Sequence, residues 1–157
     1  MADSYVRLDV VSDNSEEFQT ALKNAIKRGL MAIGMTAERY AKEEISRPKP
    51  HAKGVVRPNV DTGRLRNSIT FALAGEGANI QQYSWQTGEI SGAASGSDQY
   101  NGTAPQEPGV YIGTNVEYAA DLELGGSKSK AYQFLQPAAT EHNDEYRNLM
   151  EDSLKNA

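Results

Sequence analysis

Gly113-Thr114-Asn115-Val116-Glu117-Tyr118-Ala119, continuing through Leu122-Glu123-Leu124-Gly125 to Phe134-Leu135-Gln136-Pro137-Ala138, says more about this chain than any other stretch. Its order is that of a strand end, a short helix, a glycine turn and a helix with proline in its first turn. Val116 to Leu124 puts Tyr118, Ala119 and Leu122 on one side of the short helix, and Gly125-Gly126 stops it. Lys128 and Lys130 alternate with Ser127 and Ser129 in the loop that follows. Phe134 and Leu135 are apolar anchors, and the last helix is predicted to run to Leu154 with Tyr146, Leu149, Met150 and Leu154 inward.

Upstream, Thr62-Gly63-Arg64-Leu65-Arg66-Asn67-Ser68-Ile69 predicts a helical turn over Arg64 to Asn67, capped by Asp61 or Thr62. Ser68 to Leu73 follows as a strand. Between the two marked segments lies Glu76 to Gly109, polar and rich in Gly, Ser, Ala and Gln, interrupted by Ile80, Tyr83, Trp85 and Ile90. A connection of this length is functional or a disordered surface insertion. It reads as a hairpin extension: a strand near Asn79 to Trp85, a flexible tip over Ser91 to Pro108, and a return strand at Gly109 to Gly113. Trp85 and Tyr100 are its contact candidates, because aromatic side chains supply large contact area.

Toward the N-terminus, Tyr5 to Val11 reads as a strand that Ser12-Asp13-Asn14 breaks. Asn14 with Glu17 predicts a capping box. Phe18, Leu22, Ala25, Ile26, Gly29, Ile33, Ala37, Ala41 and Ile45 then recur at helical spacing, giving one long amphipathic helix to Ser46. Gly29 and Gly34 sit inside it at a cost in helix propensity. Pro48 and Pro50 end it. Arg47 to Asn59 holds three prolines and a glycine and is predicted to be an exposed basic arm, the loop at 47–61.

At 157 residues the chain is one ordinary domain with a real core. With 38% hydrophobic residues and a mean hydropathy of -0.63, that core is modest. The absence of cysteine excludes disulfides and thiolate metal sites. His51 and His142 lie far apart without zinc-ligand spacing. No signal pattern and no membrane-length apolar run is present, so synthesis in the cytosol is expected.

The net charge of -5 is unevenly spread. Arg47, Lys49, Lys53, Arg57, Arg64 and Arg66 face one acid, Asp61, whereas Glu141, Asp144, Glu145, Glu151 and Asp152 face one base, Arg147. A basic patch on one copy can meet an acidic patch on the next; two solvated faces are the alternative.

Catalytic readings fare poorly. Glu16-Glu17, Glu43-Glu44 and Glu151-Asp152 fall on helical surfaces. Ser68, His51 and Asp61 have no nucleophile elbow around the serine. Gly125-Gly126-Ser127-Lys128-Ser129 lacks the first Walker glycine and the strand-to-helix context of a phosphate loop. Asn101-Gly102-Thr103 matches a glycosylation sequon but has no secretory signal with it. The basic cluster has no interleaved aromatics, which leaves only phosphate attraction to DNA.

Together the two marked segments resemble the head–tail joining, or tail-completion, neck proteins of long-tailed double-stranded-DNA bacteriophages. Thr62-Gly63-Arg64-Leu65-Arg66-Asn67-Ser68-Ile69 matches the family's Thr-Gly-x-Leu-x-x-Ser-Ile, and Gly113 to Ala119 matches its Gly-Thr-Asn-x-x-Tyr-Ala. Glu123-Leu124-Gly125, the lysines, and Gln133-Phe134-Leu135-Gln136-Pro137-Ala138 follow in the family's order. The set covers most of the chain and is specific as a set rather than motif by motif. Leu124 replaces the usual aromatic, Gln133 replaces the usual proline, and the 76–109 insertion exceeds the family pattern.

The resemblance implies a structural virion protein, not an enzyme, without cofactor or metal. It would form a homo-oligomeric ring joining a DNA-filled head to a tail; a tail terminator capping the tail tube is the close alternative. Its partners would be its own copies, adjacent neck, connector and tail proteins, and passing DNA, with no membrane. A DNA-contacting module and a virion-associated hydrolase are the rivals. The fold expected is α+β, a mostly antiparallel sheet packed by the long first helix and a C-terminal helix. Interface candidates are Arg57, Arg64, Arg66, Trp85, Tyr100, Lys128, Lys130, Glu141, Asp144 and Glu145. Gly63, Gly113 and Gly125 are expected to shape turns, with Thr62, Glu123 and Pro137 in the same motifs. Leu65, Tyr118, Phe134 and Leu135 are expected to fill the core.

Overall fold

The computed structural model describes residues 12–50, 56–58, 63–79, 102–125 and 131–157. In chain order these form helix α1 (Ser15–Ser46), strands β1 (Pro48–Pro50) and β2 (Val56–Pro58), helix α2 (Arg64–Ser68), strands β3 (Thr70–Leu73), β4 (Ala78–Asn79) and β5 (Val110–Gly113), and helices α3 (Ala119–Leu124), α4 (Leu135–Thr140) and α5 (Asn143–Lys155). The fold is α+β, with antiparallel pairing throughout. Strands Tyr5–Val11 and Asn79–Trp85 of the sequence reading fall wholly or largely outside the described residues, as do Thr62, Trp85, Tyr100, Lys128 and Lys130.

α1 is the spine. Its 32 residues span about 48 Å. Gly34 lets β3 come close: a Cβ there would lie 2.2 Å from the Phe71 ring. Gly29 does the same for α5, where a Cβ would meet Met150 Sδ at 2.7 Å. The two glycines that helix propensity disfavours are therefore the contact points for other elements. Ser153 Oγ donates to the Ala25 carbonyl at 2.6 Å, and the Tyr40 hydroxyl donates to Glu145. α5 consequently runs antiparallel along α1.

β3 is the middle strand of a three-stranded sheet in the order β4-β3-β5, and all four of its residues are buried. The main core gathers Ala41 and Ile45 of α1 with Leu65, Ile69, Val116, Ala119, Phe134 and Ala138.

Several expectations are corrected. β4 and β5 flank β3 on opposite sides, and Gly77 pairs antiparallel with Thr103 at the base of the 76–109 insertion; the expected hairpin strand 79–85 and most of its tip lie outside the described residues. The basic arm contains a two-stranded pairing, Lys49 opposite Arg57, with prolines at its ends where missing N–H groups are tolerated. Asn14 makes no side-chain cap. Asp13 accepts the Ser15 N–H at 3.0 Å instead, and hydrogen bonds from Ser15 hold its carboxyl below the ordinary value. The last helix is two helices. His142 breaks it, stacked flat on the Tyr40 ring at 3.5 Å, and the Tyr146 hydroxyl ties α5 back to the Ala138 carbonyl. Burial pushes the Tyr146 phenol up to about 12. Leu154 is exposed rather than inward.

Candidate functional site

The two marked segments meet although they are far apart in sequence. Ser68 Oγ donates to the Leu65 carbonyl at 2.6 Å, which closes α2. Thr114 Oγ1 lies 2.5 Å from Ser68 Oγ and accepts the Val116 N–H at 3.1 Å. A serine hydroxyl has one hydrogen. The Ser68 hydrogen goes to Leu65, so Thr114 donates to Ser68, and the chain runs one way from Val116 to Leu65 with every link made.

Arg64 adds a second tie. Its guanidinium meets the Glu117 carboxylate through two nitrogens, each at 3.0 Å, the fork geometry for which arginine is suited. The same guanidinium sits 5.8 Å from the Tyr118 ring centre. Tyr118 is 41% exposed, not core as the sequence suggested. One position on, Ala119 is the buried residue, because α3 begins there and turns its first side chain inward.

Glu123 is the third tie. Its Oε2 accepts the N–H groups of Phe134 at 2.7 Å and Leu135 at 3.0 Å, and its Oε1 accepts that of Gln136 at 2.8 Å. The next residue, Pro137, has no N–H. All the donors that the start of α4 would leave orphaned are thereby satisfied or absent. Gly63 (φ 75°) and Gly125 (φ 80°) adopt the left-handed region at the α2 start and α3 end, as turn glycines should. Gly113 does not: it pairs with Thr70 as a strand residue, and a Cβ there would meet nothing. Leu65 and Phe134 are buried and Leu135 half-buried.

The interface candidates divide. Glu141 and Asp144 are exposed. Glu145 is engaged within the chain by Tyr40 and by Arg39 at 3.8 Å, and its carboxylate raises the Tyr40 phenol. Arg64 is held by Glu117. Arg66 lines a cleft of about 410 Å³ with Met35, Arg39 and Glu43. At its wall Glu38 and Lys42, one turn apart, form a buried pair at 2.5 Å. Glu38 Oε2 has no hydrogen-bond partner, and burial pushes its carboxyl up despite Lys42. The apolar spacing of α1 does not point to this pair, because a charged residue between apolar positions is ordinarily on the solvated face. For Arg57 only the backbone, in β2, is described.

Two apolar surfaces remain open. Leu124, where the resemblance expects an aromatic, is 77% exposed at the end of α3. On α1, residues 15–24 are all exposed, Phe18 at 67%. Among the described residues no cluster of three or more His, Asp or Glu could hold a metal ion, and no helix is long and apolar enough to cross a membrane. Comparison with family models, with curated proteins and with solved structures finds no match to this chain.

Proposed function

We propose that the chain is a structural subunit of a bacteriophage neck, assembling as a ring that joins the DNA-filled head to the tail. One observation carries this reading: the two motif segments that suggested it are tied into a single unit by Ser68–Thr114 and Arg64–Glu117. A chance scatter of short matches has no reason to converge in space. A ring built from head-to-tail contacts needs two different surfaces on each copy. The exposed Tyr118 and Leu124, at the two ends of α3, and the exposed acids Glu141 and Asp144 around the start of α5, supply two. The DNA-contacting alternative is weakened because Arg64 already holds Glu117.

Deleting the gene from its phage tests the proposal. DNA-filled heads and separate, finished tails in the lysate are expected. Intact virions would overturn it, and tails of uncontrolled length would assign the chain to the tail terminator instead.

A further inference from the structure

β5 is an edge strand, and its outer side is open. The ladder with β3 runs on from Leu73 and Val110 to Ala74, whose N–H donates to the Gly109 carbonyl at 3.2 Å. Backbone groups turn inward and outward alternately along an antiparallel strand. Gly109, Tyr111 and Gly113 therefore direct their N–H and C=O groups to β3, and Val110 and Ile112 direct theirs away from it. Among the described residues no hydrogen bond takes up those outward groups. The opposite edge of the sheet is different. Outside β4, Gly77 pairs with Thr103, and the N–H groups of Gly75 and Ala104 are bonded to the carbonyls of Pro105 and Glu76.

The strand carries none of the devices that keep such an edge single. Val110-Tyr111-Ile112 has no charge, no proline and no bulge, only the β-branched and aromatic types that suit pairing. What pairs with it follows from its own pattern. A copy of β5 laid antiparallel, with the two-fold axis at Tyr111, sets Val110 of each copy opposite Ile112 of the other. Every outward N–H then meets an outward C=O. A register shifted by two residues either brings Pro108, which has no N–H, opposite Ile112, or pushes Val110 past the strand end to Thr114. The charges agree. The antiparallel pair carries Glu107 of each copy toward Asn115 of the other, whereas a parallel pair sets Glu107 beside Glu107 and Glu117 beside Glu117.

We propose that the outer edge of β5 is a self-association site, at which a second copy of this chain adds its own β5 antiparallel and joins two three-stranded sheets into one. The contact stands on the edge alone and is independent of the neck reading. A two-fold contact closes on itself, so it pairs free subunits and leaves the surfaces around α3 and the start of α5 open for other contacts. A contact made mainly by one short strand is at the small end of specific interfaces, so the pair is expected to be weak and reversible.

Amide hydrogen exchange and sedimentation velocity on the full chain, over a dilution series, test this. A concentration-dependent dimer is expected. Exchange at Val110 and Ile112 should slow about tenfold or more as the dimer forms, while Tyr111, bonded to β3, should be protected at every concentration. Val110→Pro, at the first residue of the strand, removes an outward N–H and leaves the β3 ladder intact. It should weaken pairing about tenfold or more, since the symmetric contact loses two hydrogen bonds at once. The chain has no cysteine, so one introduced thiol is diagnostic. Tyr111 faces Tyr111 of the other copy across a non-hydrogen-bonded pair, with Cα atoms about 4.5 Å apart, a span that a disulfide bridges. Tyr111→Cys should give a covalent dimer on mild oxidation, and Val110→Cys, set opposite Ile112 instead, should not. A chain monomeric at every concentration would overturn the proposal. So would a dimer in which Val110 and Ile112 exchange as fast as in the monomer, or one that a folded Tyr111→Cys chain does not trap.

Discussion

The two halves of α1 share one apolar period but have different surroundings. From Gly34 to Ile45 the helix lies against β3, α4 and the rest of the core, with Ala37, Ala41 and Ile45 buried. From Ser15 to Asn24 the same period leaves Phe18 and Leu22 in the open. Hydrophobic spacing identifies which face is adhesive. What covers that face depends on the lengths of the neighbouring elements, here on where α5 ends.

The sharpest way to break that contrast is to truncate one phenylalanine from each setting. Phe134, fully buried, should cost about 4 kcal/mol as Phe134→Ala, whereas Phe18→Ala should change monomer stability by less than about 0.5 kcal/mol. Urea unfolding of the dilute chain measures both. Comparable losses would mean that the α1 tip belongs to the core after all.

Glu123→Ala comes next. It strips three N–H groups of an anionic acceptor and should lose about 2–3 kcal/mol, with Glu123→Gln losing roughly half as much because the amide oxygen still accepts. Equal losses for both would contradict a role through charge-assisted capping.

Within α1 the glycines separate in the same way. Gly34→Ala drives a methyl into the Phe71 ring and should cost about 2 kcal/mol. Gly29→Ala meets only the flexible end of Met150 and the Ser153 side chain, so a change within about 1 kcal/mol is expected once the gain in helix propensity is included. A larger penalty at Gly29 would show that α5 is held more rigidly than these contacts imply.

The smallest effect concerns Glu38. Burial raises its carboxyl above the ordinary 4.5. The folded state then binds the proton more tightly than the unfolded one, so the favourable contribution is complete below pH 4.5 and is lost as pH rises through the raised value. Glu38→Gln imitates the protonated form. The variant should therefore gain stability relative to the natural chain between pH 4 and 7, read from thermal melts at several pH values. The opposite slope would mean that the pairing with Lys42 outweighs the burial.

Much of the fold was legible because local signals agreed with tertiary ones. The α1 pattern, the prolines after it, the α2 turn before Ile69 and the Gly125 stop all act within a few residues. The errors arose where distant contacts decide. His142 breaks the last helix because Tyr40, on α1, stacks on it. Tyr118 stays outside because α3 starts at Ala119, three residues later than expected, and leaves Tyr118 at its cap. Glu123 was legible as a motif residue, but its task, capping α4 from eleven residues upstream, becomes visible only in space. Phe18 and Leu22 were read as inward because the sequence does not say how far α5 reaches.

The most direct measurement is an electron-microscopy reconstruction of the neck in the purified virion. The proposed role predicts a closed ring of this chain at the head–tail junction, with α3 and the start of α5 at contacts between neighbouring copies. A virion whose neck contains no copy of the chain would contradict it.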